Sequence, residues 1–350
     1  MEILILRDRE SLQPWIPAWR TLPVANPFSR WEFAQHWLTQ DGVAPYVMVV
    51  RGDDGELLAL APWSLRKKAG GIQLLEGIWG YDAWYHDPWI ADQTREGAIA
   101  GALVTALHHH RKDWDALDLT LNGESSPHLV ERLKELGWGF TSRPADRQSR
   151  LADLGNDWEA YWKSRSKDLR STLRSAQRKL DQIPHRYLEA DRHSVRPMVE
   201  KAIQHSQSRW DPGHQRDLWY QAIRDLAFES FSRGELQAYA IEIEGRLAAV
   251  TLAYRAGDRA YGSLQSYDPE FSAYRVGSLL SAWAFQKMAE AGIRTIDMGD
   301  GAIPWKERFQ TGTVETVLVQ LGASLTGKAF IGWKNGLIPR LAELRGSPAR

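Results

Sequence analysis

The chain has 350 residues, 43% of them hydrophobic, and its 44 basic and 44 acidic side chains leave no formal net charge. That length predicts two domains or two lobes, and the charge balance excludes a global field that would draw the chain to nucleic acid or to an anionic membrane. Cysteine is absent, which excludes disulfides, a thiol nucleophile, an acyl-cysteine intermediate, thiolate-bound zinc and iron–sulfur clusters.

Taken in order, the opening apolar run Met1–Leu6 is short and quickly followed by Arg7. It does not read as a secretory signal. No run of about 18 apolar residues follows, so no membrane span is expected, and a cytoplasmic location is the default. Residues Tyr46–Val50 and Leu57–Leu65 flank Asp53-Asp54-Gly55, a hairpin signal. The aromatic cluster Trp79, Tyr81, Trp84, Tyr85 and Trp89 sits among Gly80, Asp82, His86, Asp87 and Pro88. Those breakers favour a loop, and Trp84 and Tyr85 are candidates for substrate contact, with packing as the rival reading. A helix over about Arg95–His110 and a strand Ala116–Leu121 complete the first half. His108-His109-His110 lies near that helix end, where adjacent side chains point to different faces, so no metal site is expected.

The two halves join near Asp153–Trp158, predicting lobes over residues 1–153 and 154–350. The second opens with a basic helix over about Trp158–Leu180. Leu169, Leu173, Ala176 and Leu180 form its apolar stripe, and Arg170, Arg174 and Arg178 form a second one at i, i+4, i+8. A solvated basic face and a site for an anionic substrate group are both open readings of those arginines.

The second half then repeats the plan of the first. Strands Gln237–Ile243 and Arg246–Tyr254 flank Glu244-Gly245. A strand Arg259–Ser266, a turn Tyr267–Glu270, a helix of about Gly277–Ala291 and a strand Thr295–Met298 follow. Ala116-Leu117-Asp118-Leu119 and Thr295-Ile296-Asp297-Met298 read alike, which suggests a duplicated α/β unit. The helix start Arg275, Val276, Gly277, Ser278 and Leu279 presents backbone N–H groups and a positive dipole end, an anion site suited to a phosphorylated carrier. Asp297, Asp300, Lys306 and Tyr267 are the ionisable groups nearest to it in the chain. The C-terminal helix is expected over about Leu325–Leu344.

The runs Tyr267-Asp268-Pro269-Glu270, Gly277-Ser278-Leu279-Leu280, Asp297-Met298-Gly299-Asp300-Gly301 and Trp305-Lys306-Glu307-Arg308-Phe309 together resemble the C-terminal signature of the CelD/BcsL-type acyltransferases. These belong to the Gcn-related N-acetyltransferase (GNAT) superfamily and are relatives of the Fem-type aminoacyl transferases. The resemblance implies an α/β (α+β) protein of two GNAT-like lobes, each a mixed sheet flanked by helices. It implies acyl transfer from acyl-CoA (acetyl-CoA) to an amine of a sugar, a sugar nucleotide or a cell-envelope or polysaccharide precursor. By family analogy the exposed edge of Gly262–Ser266 supplies oxyanion donors, and Lys306 contacts substrate. The family's Arg/Gln-x-x-Gly-x-Gly/Ala loop is represented only by Arg275-Val276-Gly277-Ser278. That departure keeps two alternatives in play: a Fem-like enzyme using aminoacyl-tRNA, the one case with a nucleic-acid partner, and an inactive GNAT-fold binding or assembly subunit.

Overall fold

The computed structural model describes residues 1–22, 26–78, 85–137, 140–144, 148–210, 216–301 and 303–344. The chain divides into two compact units, one of residues 1–22, 37–146 and 315–350 and the other of residues 23–36 and 147–314. The single cut expected near Asp153 is therefore replaced by an interleaved division. Residues 150–153 pair within the second unit, and the last strand and helix belong to the first.

The first unit is built on an eight-stranded sheet. Its strands are β1 (Glu2–Leu6), β2 (Val43–Arg51), β3 (Leu57–Lys67), β4 (Gln73–Gly77), β5 (Trp89–Ile90), β6 (Ala116–Asn122), β7 (Thr141–Pro144) and β15 (Thr316–Gly322). They run in the order β1-β2-β3-β4-β6-β15-β7, with β5 added to β3. Gly55, at φ 87°, makes the β2–β3 turn, a backbone region that glycine enters without steric cost. Helices α1 (Arg9–Leu12), α2 (Ile16–Thr21), α4 (Glu96–His109), α5 (Pro127–Glu135) and α12 (Leu325–Leu344) accompany the sheet, and α3 (Trp31–Trp37) crosses the division. In α4 the buried residues Ile99, Ala100, Leu103, Val104 and Leu107 share one helical face. They pack on Leu75, Leu117, Leu119 and Leu121 of β4 and β6.

The second unit holds a seven-stranded sheet of β8 (Arg150–Asp153), β9 (His185–Glu189), β10 (Leu236–Ile243), β11 (Arg246–Ala256), β12 (Arg259–Tyr267), β13 (Thr295–Asp297) and β14 (Gly312–Thr313). The order is β14-β8-β13-β12-β11-β10-β9. Its helices are α6 (Trp158–Ser164), α7 (Lys167–Leu180), α8 (Val195–Trp210), α9 (Asp217–Ser232), α10 (Val276–Glu290) and α11 (Pro304–Phe309). The β10–β11 turn has Glu244 at φ 49° and Gly245 at φ 78°, the doubly left-handed form that matches strand twist.

The basic helix expected over Trp158–Leu180 is two helices. Arg165 turns extended, at φ −69° and ψ 155°. Ser166 then caps α7, its Oγ accepting the Leu169 N–H at 3.1 Å. A serine side chain that satisfies an orphan helix donor lets the chain restart a helix after one extended residue. Leu169, Leu173, Ala176 and Leu180 are buried as the stripe predicted. They lie against α10 and the sheet, with Leu280, Phe285, Ile241, Ala249 and Ile296. Each such leucine contributes roughly 1.5–3 kcal/mol by leaving water.

Both units share one topology. In the first, β2, β3 and β4 pair antiparallel, α4 follows, and β6 returns parallel to β4. In the second, β10, β11 and β12 pair antiparallel, α10 follows, and β13 returns parallel to β12. Each lobe is thus a mixed sheet flanked by helices.

Candidate functional site

The site grows from the parallel pair β12–β13. Only Arg259–Thr295, Ala260–Ile296 and Tyr261–Asp297 are in register, and β12 then continues alone on that side to Tyr267. On its other side β12 stays paired with β11 through a register shift at Leu252/Ala253, which leaves Ser263 as the extra residue. A bulge there bends the strand. Among the described residues its Gly262–Tyr267 backbone therefore carries an edge without a strand partner, and an unpaired edge presents N–H and C=O groups to whatever lies beside it. Gly262 sits where the strands part: a Cβ there would stand 3.4 Å from the Asp297 carbonyl oxygen.

Next to that edge lies the start of α10. The N–H groups of Ser278 and Leu279 turn back onto the Arg275 carbonyl at 3.0 and 3.1 Å. Among the described residues, those of Val276 and Gly277 make no backbone hydrogen bond. No acidic residue occupies the first turn. The site predicted over Val276–Leu279 thus narrows to two N–H donors at the positive end of a 15-residue helix. Arg275 itself is exposed and holds the left-handed conformation, φ 54°, an uncommon state for a non-glycine residue. Gln265 on β12 fixes the helix in place. Its side-chain amide donates to the Gly277 carbonyl at 2.8 Å and to Ser281 Oγ at 2.6 Å. Tyr267 lies against the same turn, since a Cβ on Gly277 would stand 3.2 Å from Tyr267 Cδ1.

Cations gather around this turn. The Arg209 guanidinium of α8 lies 4.7 Å over the Tyr267 ring. Lys179 at the end of α7 lies 5.2 Å over Tyr274, in the turn leading into α10, and reaches the Ala273 carbonyl at 3.5 Å. Arg170 is half-buried, Arg174 and Arg178 are exposed, and none of the three forms an ion pair among the described residues. Lys179, rather than the three striped arginines, is the basic group of α7 with a documented contact beside the turn. Arg209 and Gln265 were not legible as site residues. Only the fold brings α8 and mid-strand β12 to the start of α10.

The far wall of the opening is the segment after β13. Asp297 is fully buried, and its carboxylate accepts the Gly299 N–H at 3.0 Å. It shapes the turn through Gly299 and Gly301, at φ 79° and 93°. Lys306 is 8% exposed, and its ammonium donates to the Asp300 carbonyl. Burial pushes the Lys306 ammonium down from its ordinary range, while Asp300 and Asp297 pull it up. Asp300 itself is half-buried. Tyr161 of α6 and Arg165, just after it, both donate to the Phe309 carbonyl, at 2.6 and 3.1 Å. A cation at a helix C-terminus is favourable, so α6 holds α11, and with it Lys306, in position.

On the opposite face of the sheet, Ser266 Oγ donates to the Ala202 carbonyl of α8 at 3.0 Å. A cavity of about 590 Å³ opens there, lined by residues including Lys201, Gln204, Gln207, Arg246 and Asp268. His205 is buried near it, and burial lowers its pKa. Of the aromatic pair expected to touch substrate, Tyr85 is 2% exposed in the first unit, and Trp84 lies outside the described residues. Among the described residues no group of three or more His, Cys, Asp or Glu side chains is arranged to hold a metal, and no helix is long and apolar enough to cross a membrane.

Residues 164–307 match the acetyltransferase (GNAT) domain family. No curated protein matches the sequence. Among solved structures, FemX superposes with a TM-score of 0.61 at 13% identity, covering 91% of this chain and 97% of that one. A conserved protein of unknown function from Bacteroides thetaiotaomicron VPI-5482 gives 0.58 at 12% identity, over 91% and 100%. Likeness at such identities is likeness of fold. The chain is a two-lobed α/β protein that shares its fold with FemX, and residues 164–307 match the GNAT acetyltransferase domain.

Proposed function

We propose that this protein is an N-acyltransferase that takes its acyl group from acyl-CoA in the second lobe. The observation that carries the reading is the parting of β12 from β13 beside the uncapped start of α10. The Val276 and Gly277 N–H groups would hold the carrier's phosphates, with Arg275, Arg209 and Lys179 adding charge. The thioester brings an activated carbonyl, and the free N–H groups of β12 between Gly262 and Ser266 are placed to stabilise its oxyanion. Tyr267, stacked under Arg209 and against Gly277, belongs to the phosphate end of this site rather than to the acyl end. Asp297 is committed to the Gly299 turn, so the carboxylate that takes the acceptor's proton, through water, is Asp300. Lys306 positions the Asp300 segment through its carbonyl. The acceptor is an amine on a sugar, sugar nucleotide or envelope precursor, as the CelD/BcsL resemblance implies, and Arg170, Arg174 and Arg178 offer unspent charge to its anionic group.

A second reading follows from the superposition on FemX over nearly its whole length: a Fem-like transfer from aminoacyl-tRNA. Titration calorimetry with acetyl-CoA, longer acyl-CoAs and free CoA separates the two. Binding that weakens about tenfold or more in Gly277→Asp is expected. Absence of heat with every CoA species would overturn the CoA reading and favour the tRNA donor or a non-enzymatic role.

A further inference from the structure

The first lobe repeats the architecture of the donor site, yet its corresponding opening is filled by its own chain. As in the second lobe, the parallel pair β4–β6 runs in register for three pairs, Leu74–Ala116, Leu75–Leu117 and Glu76–Asp118. Beyond that point the β6 edge does not stay open. The His86 N–H donates to the Thr120 carbonyl at 2.7 Å, and the Thr120 N–H donates to His86 Nδ1 at 3.0 Å. The Asn122 N–H meets the Asp87 carboxylate at 3.1 and 3.2 Å. Trp63 Nε1 ties the His86 carbonyl at 2.9 Å.

The imidazole occupies the place where the strands part. Gly77, which ends β4, has the His86 ring so close that a Cβ would lie 2.2 Å from it. His86 is 5% exposed. In the second lobe the equivalent space, beside Gly262, is bounded by Asp297 and Met298 backbone, and among the described residues no side chain lies there as His86 does.

The helix that follows differs as well. α10 begins with no acid in its first turn, whereas α4 begins with Glu96, which is 5% exposed. Its carboxylate is turned to the first turn of α5, 3.7 Å from His128 Nε2, so it adds a negative charge near the α4 start without capping that helix. The His86 ring against Gly77 opposes a carrier on steric grounds.

We infer that the first lobe takes no acyl carrier: His86–Asp87 is a built-in plug in the duplicated cleft, and one polypeptide binds one donor. The inference deepens the proposed donor site, but the plug can be examined without it. Amide hydrogen exchange on the intact protein reads the plug directly. The Thr120 and Asn122 amides should be strongly protected and should stay so under saturating acetyl-CoA. His86→Ala should speed Thr120 exchange by about tenfold or more while Asn122 responds less. Rapid exchange at Thr120 in the unaltered protein, or loss of its protection when acetyl-CoA is added, would overturn the inference whether or not CoA binds elsewhere. Calorimetry and native mass spectrometry with acetyl-CoA should give one equivalent per chain, unchanged in His86→Ala because Asp87 still holds the Asn122 N–H. Two equivalents in the unaltered protein would overturn it. Zero equivalents with an intact, protected plug would instead overturn the CoA reading of the second lobe and leave the plug standing.

Discussion

At the scale of single residues, Arg275 couples a conformational cost to a proposed binding role. A non-glycine residue in the left-handed region is strained by roughly 1–2 kcal/mol, and glycine there would remove that cost while loosening the unfolded chain. Arg275→Gly should leave the melting temperature level or slightly raised, yet weaken acetyl-CoA binding, more so at low salt than at high. Unchanged affinity at both salt levels would remove Arg275 from the carrier site. Lys306 gives the opposite pattern. Its ammonium sits beside the buried Asp297 and on the Asp300 carbonyl. Lys306→Met removes the donor to the Asp300 carbonyl and a charge that interacts with the buried Asp297, so a drop in melting temperature is expected. Asp300→Asn should keep the fold and lower kcat/KM by about tenfold or more. A stable, fully active Asp300→Asn variant would exclude it as the proton acceptor.

Asp87 adds a pH dependence at the same scale. Burial pushes its carboxyl up to about 6, against the hydrogen bond from the Asn122 N–H. A carboxyl whose folded pKa lies above its unfolded value stabilises the fold most below the unfolded pKa, near 4. That contribution is lost as pH rises through about 6. The unaltered protein should therefore lose stability relative to Asp87→Asn between pH 5 and pH 7.5. Melting curves of both proteins at the two pH values check this, and parallel behaviour would mean that the carboxylate is solvated.

At the scale of elements, the break at Arg165–Ser166 decides what the basic segment does. One continuous helix would have carried all its cations on a single rod. Two helices let Tyr161 of α6 and the Arg165 that follows it clamp α11, while α7 buries its leucines and brings Lys179 to the turn before α10. Ser166→Ala removes the cap and should cost about 1 kcal/mol. The loss should appear as a lowered unfolding midpoint without a change in slope. A tie of similar consequence holds α12 to the first sheet, where Lys334 meets Asp118, itself bonded by the Gln320 side-chain amide at 3.1 Å.

At the scale of the molecule, the last strand is what the interleaved division turns on. β15 lies between β6 and β7, paired to both, and Val319, Gln320 and Leu321 are fully buried. Ending the chain after Val314 should leave two strand edges and an apolar face uncovered in the first unit, with aggregation or loss of its cooperative unfolding. The second unit keeps all its strands. A shortened chain with an unaltered unfolding curve would refute this account.

What the sequence determined by itself is local. Hairpins at Gly55 and Gly245, helices over α4, α7 and α10, and the strands on either side of them follow from periodicity and turn chemistry acting over a few residues. The duplication was legible for the same reason, because each copy repeats those local signals. The start of α10 was legible too, since Gly277 and its neighbours announce a helix start wherever they occur. What only the tertiary structure decided is long-range. Strand edges are chemically alike, so nothing within Thr316–Gly322 or Arg150–Asp153 names the sheet that each joins. Arg209 and Gln265 came to lie beside the α10 start only when α8 and β12 were brought to it. The same holds for the difference between the lobes. Gly77 and His86 are separated in sequence, and their contact exists only in the folded sheet, where His86 fills one copy of the cleft and, among the described residues, no side chain fills the other.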